Sequence, residues 1–208
     1  MNKPLRLGSN IWGEAMDAVY KKAVSRFDSI LNKVAVTDQA GRHLELSRAI
    51  EKIHFQLSMV SQSEGTIWII GNGGSAAIAS HIQTDLVNQC KLRAQVVHEP
   101  SLMTCHANDY GYENAYARML KQFIRTGDLV FVVSSSGQSK NLLNAVDVAL
   151  GMQVPVISFT GFSSNNLLRQ KGDLNLWIPS KDYGEVEVAH LFLLHFLADA
   201  YVQVEVMA

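Results

Sequence analysis

The chain has 208 residues, 48% of them apolar and 18% charged, with a formal net charge of -1. That length suffices for one sizeable core and argues against two full domains. No basic field recommends a nucleic-acid surface, and no stretch reaches the roughly 18 consecutive apolar residues that a membrane span needs. Cys90 and Cys105 form no CxxC or zinc spacing, which suggests free thiols and a reducing compartment. The opening stretch "MNKPLRLGSNIWGEAMDAVYKK" lacks the uninterrupted apolar core of a signal peptide, so a soluble cytoplasmic protein is expected.

From Asn10 to about Val34, apolar residues recur at helical spacing, through Ile11, Met16, Val19, Tyr20, Val24, Phe27, Ile30 and Leu31. Asp38 to Ser61 repeats the pattern, with "TDQAGRH" as the break. Two helices are therefore expected before any strand. Such a pair cannot bury two apolar faces alone, so it must pack on the main domain or on a partner chain.

Strands and helices then alternate. Strands are expected at Thr66 to Ile70, Ala94 to Val97, Leu129 to Val133, Val154 to Phe159 and Leu174 to Ile178. The helices between them are Ser75 to about Cys90, Glu113 to Phe123, Ser139 to Leu150 and a short one from Asn165 to Gln170. Glu185 to Val206 closes the chain as a long helix. Short Val- and Ile-rich strands without polar alternation fit a parallel sheet covered on both faces. The expectation is a doubly wound, flavodoxin-like α/β fold carrying an N-terminal helical pair. One domain spans 1–208, with the pair at 1–63 and the α/β core at 64–208.

Ligands of such sheets bind at the carboxyl ends of the strands. Two loops there stand out. "GNGGS", Gly71 to Ser75, is not a dinucleotide fingerprint, because the third glycine and the later acidic residue are missing. Nor is it a P-loop, which ends in Gly-Lys-Ser/Thr. It fits an anion cradle, or a plain tight turn with Ser75 as a helix cap. "SSSGQS", Ser134 to Ser139, offers four serines at a helix N-terminus, where free N–H groups and the helix dipole favour a phosphate. The alternative is a solvated turn with Ser139 as the cap.

Together "GNGGSAAIASH", "ANDYGYENAYARML", "GDLVFVVSSSGQSKNLLNAVDVAL" and "ISFTG" resemble the sugar isomerase (SIS) fold. Within it they are similar to the phosphoheptose isomerases, which convert sedoheptulose 7-phosphate to an aldoheptose 7-phosphate. The resemblance spans nearly the whole chain. It implies a homotetramer with active sites between subunits and the leading helices at its centre.

Aldose–ketose isomerisation moves a proton between C1 and C2 through an enediol. It needs a base near those carbons and a group that polarises the carbonyl, a role open to a divalent metal. His81 and Asp85 lie four apart on one helix face, a spacing that suits chelation, an acid/base pair or a plain surface hydrogen bond. The resemblance puts Asp85 at the position of the family's base, a Glu, and His195 at that of the general acid. Asp is shorter by one methylene, which sets the carboxylate roughly 1 Å or more from the family position. Glu187 stands where the family has Gln, and His190 is read as structural. Glu187 and His195 are eight residues apart, about 12 Å along a helix, so a shared ion or substrate would more easily draw on two chains. "EVEV", Glu185 to Val188, departs from the family's Arg-Ile-Gln-Glu and reverses the charge at Glu185.

The expected metal ligands are His81, Asp85, Glu187 and His195, holding a divalent ion such as zinc. The resemblance gives substrate contacts to Asn72, Gly73, Ser75, Asp109, Ser134, Ser135, Ser136, Ser139 and Glu187. Asp109 lies in "TCHANDYG", which reads as an irregular loop. Two other readings stay open. One is an SIS isomerase of another sugar phosphate, which the altered positions motivate. The other is a regulatory SIS protein that binds a protein partner, against which the retained His81, Asp85, Glu187 and His195 count.

Overall fold

The computed structural model describes residues 11–207. Asn10, expected to begin the leading helix, and the first part of the stretch read for a signal peptide lie outside the described residues. The elements run α1 (Ile11–Leu31), β1 (Ala35–Asp38), β2 (His43–Leu44), α2 (Leu46–Gln62), β3 (Ile67–Gly71), α3 (Gly74–Asn88) and β4 (Ala94–Val96). They continue with α4 (Pro100–Tyr110), α5 (Tyr112–Phe123), β5 (Leu129–Ser134), α6 (Lys140–Gly151) and β6 (Val156–Thr160). A 3-10 turn (Leu168–Gln170), β7 (Leu174–Trp177) and α7 (Tyr183–Met207) complete the chain.

The strands form one sheet in the order β2-β1-β7-β6-β5-β3-β4. β7, β6, β5, β3 and β4 are parallel. Numbered by themselves, these five follow the flavodoxin-like order, with the reversal between β3 and β5. The loops after those two strands are "GNGGS" and "SSSGQS", so both open onto the crevice where such sheets bind ligands. The core has two layers. Ile53 and Leu57 of α2, Ile78 and Ile82 of α3, and Leu194 and Leu197 of α7 pack on one face. Met119 and Leu120 of α5 and Leu142 and Val146 of α6 pack on the other. No described helix is long and apolar enough to cross a membrane.

Two expectations are corrected. The leading helices are not consecutive: "TDQAGRH" is a hairpin whose first strand pairs antiparallel with β7, Val36 opposite Leu176. Its turn is held by Asp38, whose Oδ1 accepts from the N–H of Ala40 at 3.0 Å and of Arg42 at 2.9 Å, as a turn-forming Asp does. The second correction is at "TCHANDYG", which is helical within α4. Glu99 caps that helix by accepting from the Leu102 N–H at 2.8 Å, and Pro100 fills its first turn. Gly111, at φ 82°, ends α4 and starts α5.

The outer helices are not fully covered. Trp12, Tyr20 and Val19 of α1 are exposed at 71%, 69% and 59%. α7 buries Val186, Ala189, Leu193 and Leu197, yet leaves Val188, Phe192 and Phe196 exposed. A helix apolar on both sides calls for a second cover.

Candidate functional site

The two crevice loops meet around a cavity of ≈ 230 Å³ lined by Asn72, Gly73, Gly74, Ser75, Ser134, Ser135, Ser136, Ser139, Tyr183 and Glu187. Gly73 takes φ +55°, the left-handed region that a side chain resists, and so turns the chain from β3 into α3. Gly74 is close-packed: a Cβ there would lie 2.4 Å from Glu187 Oε2. Glu187 thus lays its carboxylate over the start of α3, at the mouth of the serine loop.

The serine hydroxyls are differently committed. Ser134 Oγ accepts from the Gly137 N–H at 3.1 Å and Ser136 Oγ from the Gln138 N–H at 3.2 Å. Ser139 stands at the N-cap of α6, but its hydroxyl makes no capping bond. Ser135 Oγ is buried with no hydrogen-bond partner among the described residues. An unpaired buried hydroxyl costs free energy unless a ligand completes it. Hydroxyl hydrogens at a helix N-terminus make a neutral cradle for an anion's oxygens.

Asn72 is fixed rather than free. Its Nδ2 donates to Asn141 Oδ1 and its Oδ1 accepts from Asn141 Nδ2, each at 2.9 Å. Tyr112 donates to the same Oδ1 at 2.8 Å. One Nδ2 hydrogen of Asn72 remains for a ligand. Tyr112, Asn141 and Tyr183 were not singled out in the sequence, since their roles depend on partners far along the chain. Asp109, on exposed α4, accepts from Asn108 Nδ2 at 2.9 Å and does not line the cavity.

A second cluster lies further along α3. His81, Asp85 and His195 offer ligand atoms within 4.8 Å of one another. α3 and α7 pack with the same sense. Glu187 therefore meets Gly74, His195 meets Asp85, and Cys90 meets the Ala198 carbonyl. His195 Nδ1 lies 2.7 Å from Asp85 Oδ2, yet that oxygen is buried without a properly directed hydrogen bond. Gln89 donates to Asp85 Oδ1 at 3.3 Å. The His81 and His195 rings meet edge to face, centroids 5.0 Å apart. Two imidazoles and a carboxylate with an unsatisfied buried oxygen are a donor set compatible with a divalent metal. Glu187 is outside this group within one chain.

His190 is fully buried, its Nε2 3.1 Å from the Thr160 carbonyl, and burial depresses its pKa to about 4. It belongs to the core. Glu185 pairs with Arg26 of α1 and accepts from Ser180. The acid at 185 therefore has its cation on the leading helix.

A flavodoxin-like sheet with a serine cradle at its switch point defines the class. The chain belongs to the SIS domain family, whose model matches residues 34–161, in the phosphoheptose isomerase branch. It is 30% identical to the phosphoheptose isomerase of Campylobacter concisus over 164 residues, 76% of this chain and 86% of that protein. With a phosphoheptose isomerase of Helicobacter pylori it shares 31% over 160 residues, 74% of this chain and 83% of that one. The structure of a phosphoheptose isomerase from Neisseria gonorrhoeae superposes with TM-score 0.77 at 24% identity, covering 91% of this chain and 98% of that chain.

Proposed function

We propose that the chain interconverts sedoheptulose 7-phosphate and D-glycero-D-manno-heptose 7-phosphate through an enediol. The observation that carries this reading is the pairing of two sites along α3: the serine cradle at its start and the His81–Asp85–His195 group beyond. From Ser75 to His81 the helix rises about 9 Å. An extended chain gains about 1.2 Å per bond, so the eight bonds from phosphorus to C1 cover roughly 10 Å. A heptose phosphate held at one end reaches the acid/base group at the other.

In this reading Ser134, Ser135, Ser136 and Ser139 hold the phosphate with Ser75, Asn72 and the Gly73 backbone address the sugar hydroxyls at the cradle, and Asp109, outside the cradle, addresses those beyond it. Asp85 takes the proton from one of C1 and C2 and returns it to the other. His195 gives a proton to the carbonyl oxygen as the enediol forms and takes one from the neighbouring hydroxyl as that becomes the new carbonyl. His81, Asp85 and His195 would hold a divalent metal, which we take to be zinc, with Glu187 as a fourth ligand through a neighbouring chain. Such an ion, when bound, polarises the substrate carbonyl. A carboxylate held firmly by a metal is a weaker base, so Asp85 serves one role at the expense of the other.

Oligomerisation fits the uncovered apolar residues of α1 and α7, and we propose a cytoplasmic homotetramer with sites between subunits. One SIS domain over 1–208 then has its outer helices, from 1–63, at the centre of the assembly. A second reading, another sugar phosphate as substrate, draws on the Glu187 carboxylate at the cradle, where the family has a neutral amide.

The test is proton exchange. Protein with sedoheptulose 7-phosphate in D2O, with and without zinc, is followed by NMR. Deuterium at C2 of a new aldose phosphate supports the reading. No exchange under either condition from an intact oligomer rejects it and moves attention to a panel of other sugar phosphates.

A further inference from the structure

A separate cavity of ≈ 620 Å³ lies at the hairpin side of the sheet, between β1–β2 and the segment that follows β6. Neither the serine loop nor the His81 group lines it. Its volume is that of an ordinary small-molecule site. Arg169 is its cation. The guanidinium donates from Nε to Thr37 Oγ1 at 3.5 Å and from Nη1 to the Ser164 carbonyl at 2.9 Å. It also lies over Trp177, with Cζ 4.9 Å from the ring centroid. These bonds leave guanidinium N–H groups to spare.

Three observations point to a missing anion. No described carboxylate pairs with Arg169, and no Asp or Glu lines the cavity. Burial without a counter-charge lowers the pKa of Arg169, the mark of a cation stripped of water and not repaid. The Trp177 indole N–H is buried with no acceptor among the described residues. Half-buried arginines are ordinarily matched by a carboxylate or phosphate that takes their parallel N–H groups. The remaining polar side chains of the lining carry no acid: Thr37 and Ser164 present hydroxyls, Gln39, Asn165 and Gln170 amides, and His43 an imidazole. Such groups pair with the hydroxyls of a polyol, and the space exceeds what a bare phosphate would fill.

We propose that this cavity is a second ligand site for a small phosphorylated polyol, with Arg169 taking the phosphate and the amides taking the hydroxyls. The proposal stands apart from the serine cradle and needs no catalytic role for it.

Full-length protein titrated calorimetrically with glycerol 3-phosphate tests it. Ser136→Glu puts a carboxylate in the serine cradle and closes that site. Binding should persist in this variant and weaken about tenfold or more when Arg169→Gln is added, as loss of a charge-assisted pair requires. Gln39→Glu, at an exposed turn, should weaken it in the same sense without touching the Arg169 contacts. Absence of binding in Ser136→Glu would overturn the proposal. So would binding there that neither Arg169→Gln nor Gln39→Glu changes.

Discussion

The Glu187 carboxylate rests against Gly74, so close that a Cβ at that glycine would stand 2.4 Å from Oε2. The contact puts a negative charge beside the loops proposed to hold a phosphate. Glu187→Gln keeps the volume, removes the charge and restores the residue that the branch carries. Relief of like-charge repulsion across a water-filled cleft is worth about 1 kcal/mol, so KM for the sugar phosphate should fall about fivefold. Steady-state kinetics at low ionic strength reads this directly. An unchanged or higher KM, together with reduced metal content, would show that the metal-ligand role proposed above outweighs the repulsion of the phosphate.

Ser135 separates binding from stability. Its Oγ is buried and unpaired among the described residues, so folding gains little from it. Ser135→Ala removes an unsatisfied group and should leave thermal stability within about 0.5 kcal/mol of the parent. Phosphate affinity should nevertheless drop about tenfold, since a hydrogen bond to a charged oxygen is lost. A variant that loses stability and keeps its KM would make Ser135 a structural residue.

Asp85 is the residue on which base and ligand roles converge. Asp85→Asn is close to isosteric and preserves the contact with Gln89. Turnover should fall by about 10² or more for loss of a positioned base, while far-ultraviolet circular dichroism stays unchanged. Metal content measured on the same preparation divides the two roles. Retained zinc with lost turnover identifies the base, and loss of both identifies the ligand. Turnover near that of the parent would remove Asp85 from the mechanism.

The sequence disclosed the two crevice loops because their chemistry is local. A run of glycines that includes one at φ +55°, Gly73, and serines at a helix start announce themselves by composition. The wide separation of Glu187 from His195 was also legible, since eight residues of helix fix it at about 12 Å. The hairpin at Ala35 to Leu44 was hidden because its β-branched residues directly follow a helical run, and only pairing with β7 makes them a strand. α4 was hidden for the opposite reason. Its polar, aromatic surface has no apolar stripe, although Glu99 followed by Pro100 is a start signal that could have been read. The lock of Asn72 by Asn141 and Tyr112 joins residues 69 and 40 positions apart, which no spacing rule reaches.

His190 gives the fold a pH signature that is independent of catalysis. Its Nε2–H faces the Thr160 carbonyl, and Nδ1 is buried without a partner among the described residues. A second proton would therefore sit on Nδ1 with nothing to accept it, and burial holds the folded pKa at about 4 against 6.5 for the free group. Above pH 6.5 both folded and unfolded chains carry a neutral ring, and the full stability is present. Between about 6.5 and 4 only the unfolded chain takes up the proton, so stability falls as pH falls, by up to about 3 kcal/mol, and levels off below. Urea unfolding of the parent and of His190→Gln across this window checks the assignment. The glutamine variant, with no ring to protonate, should show a shallower slope between pH 4 and 6.5, whatever its stability at pH 8. Parallel slopes would assign the acid sensitivity to other groups.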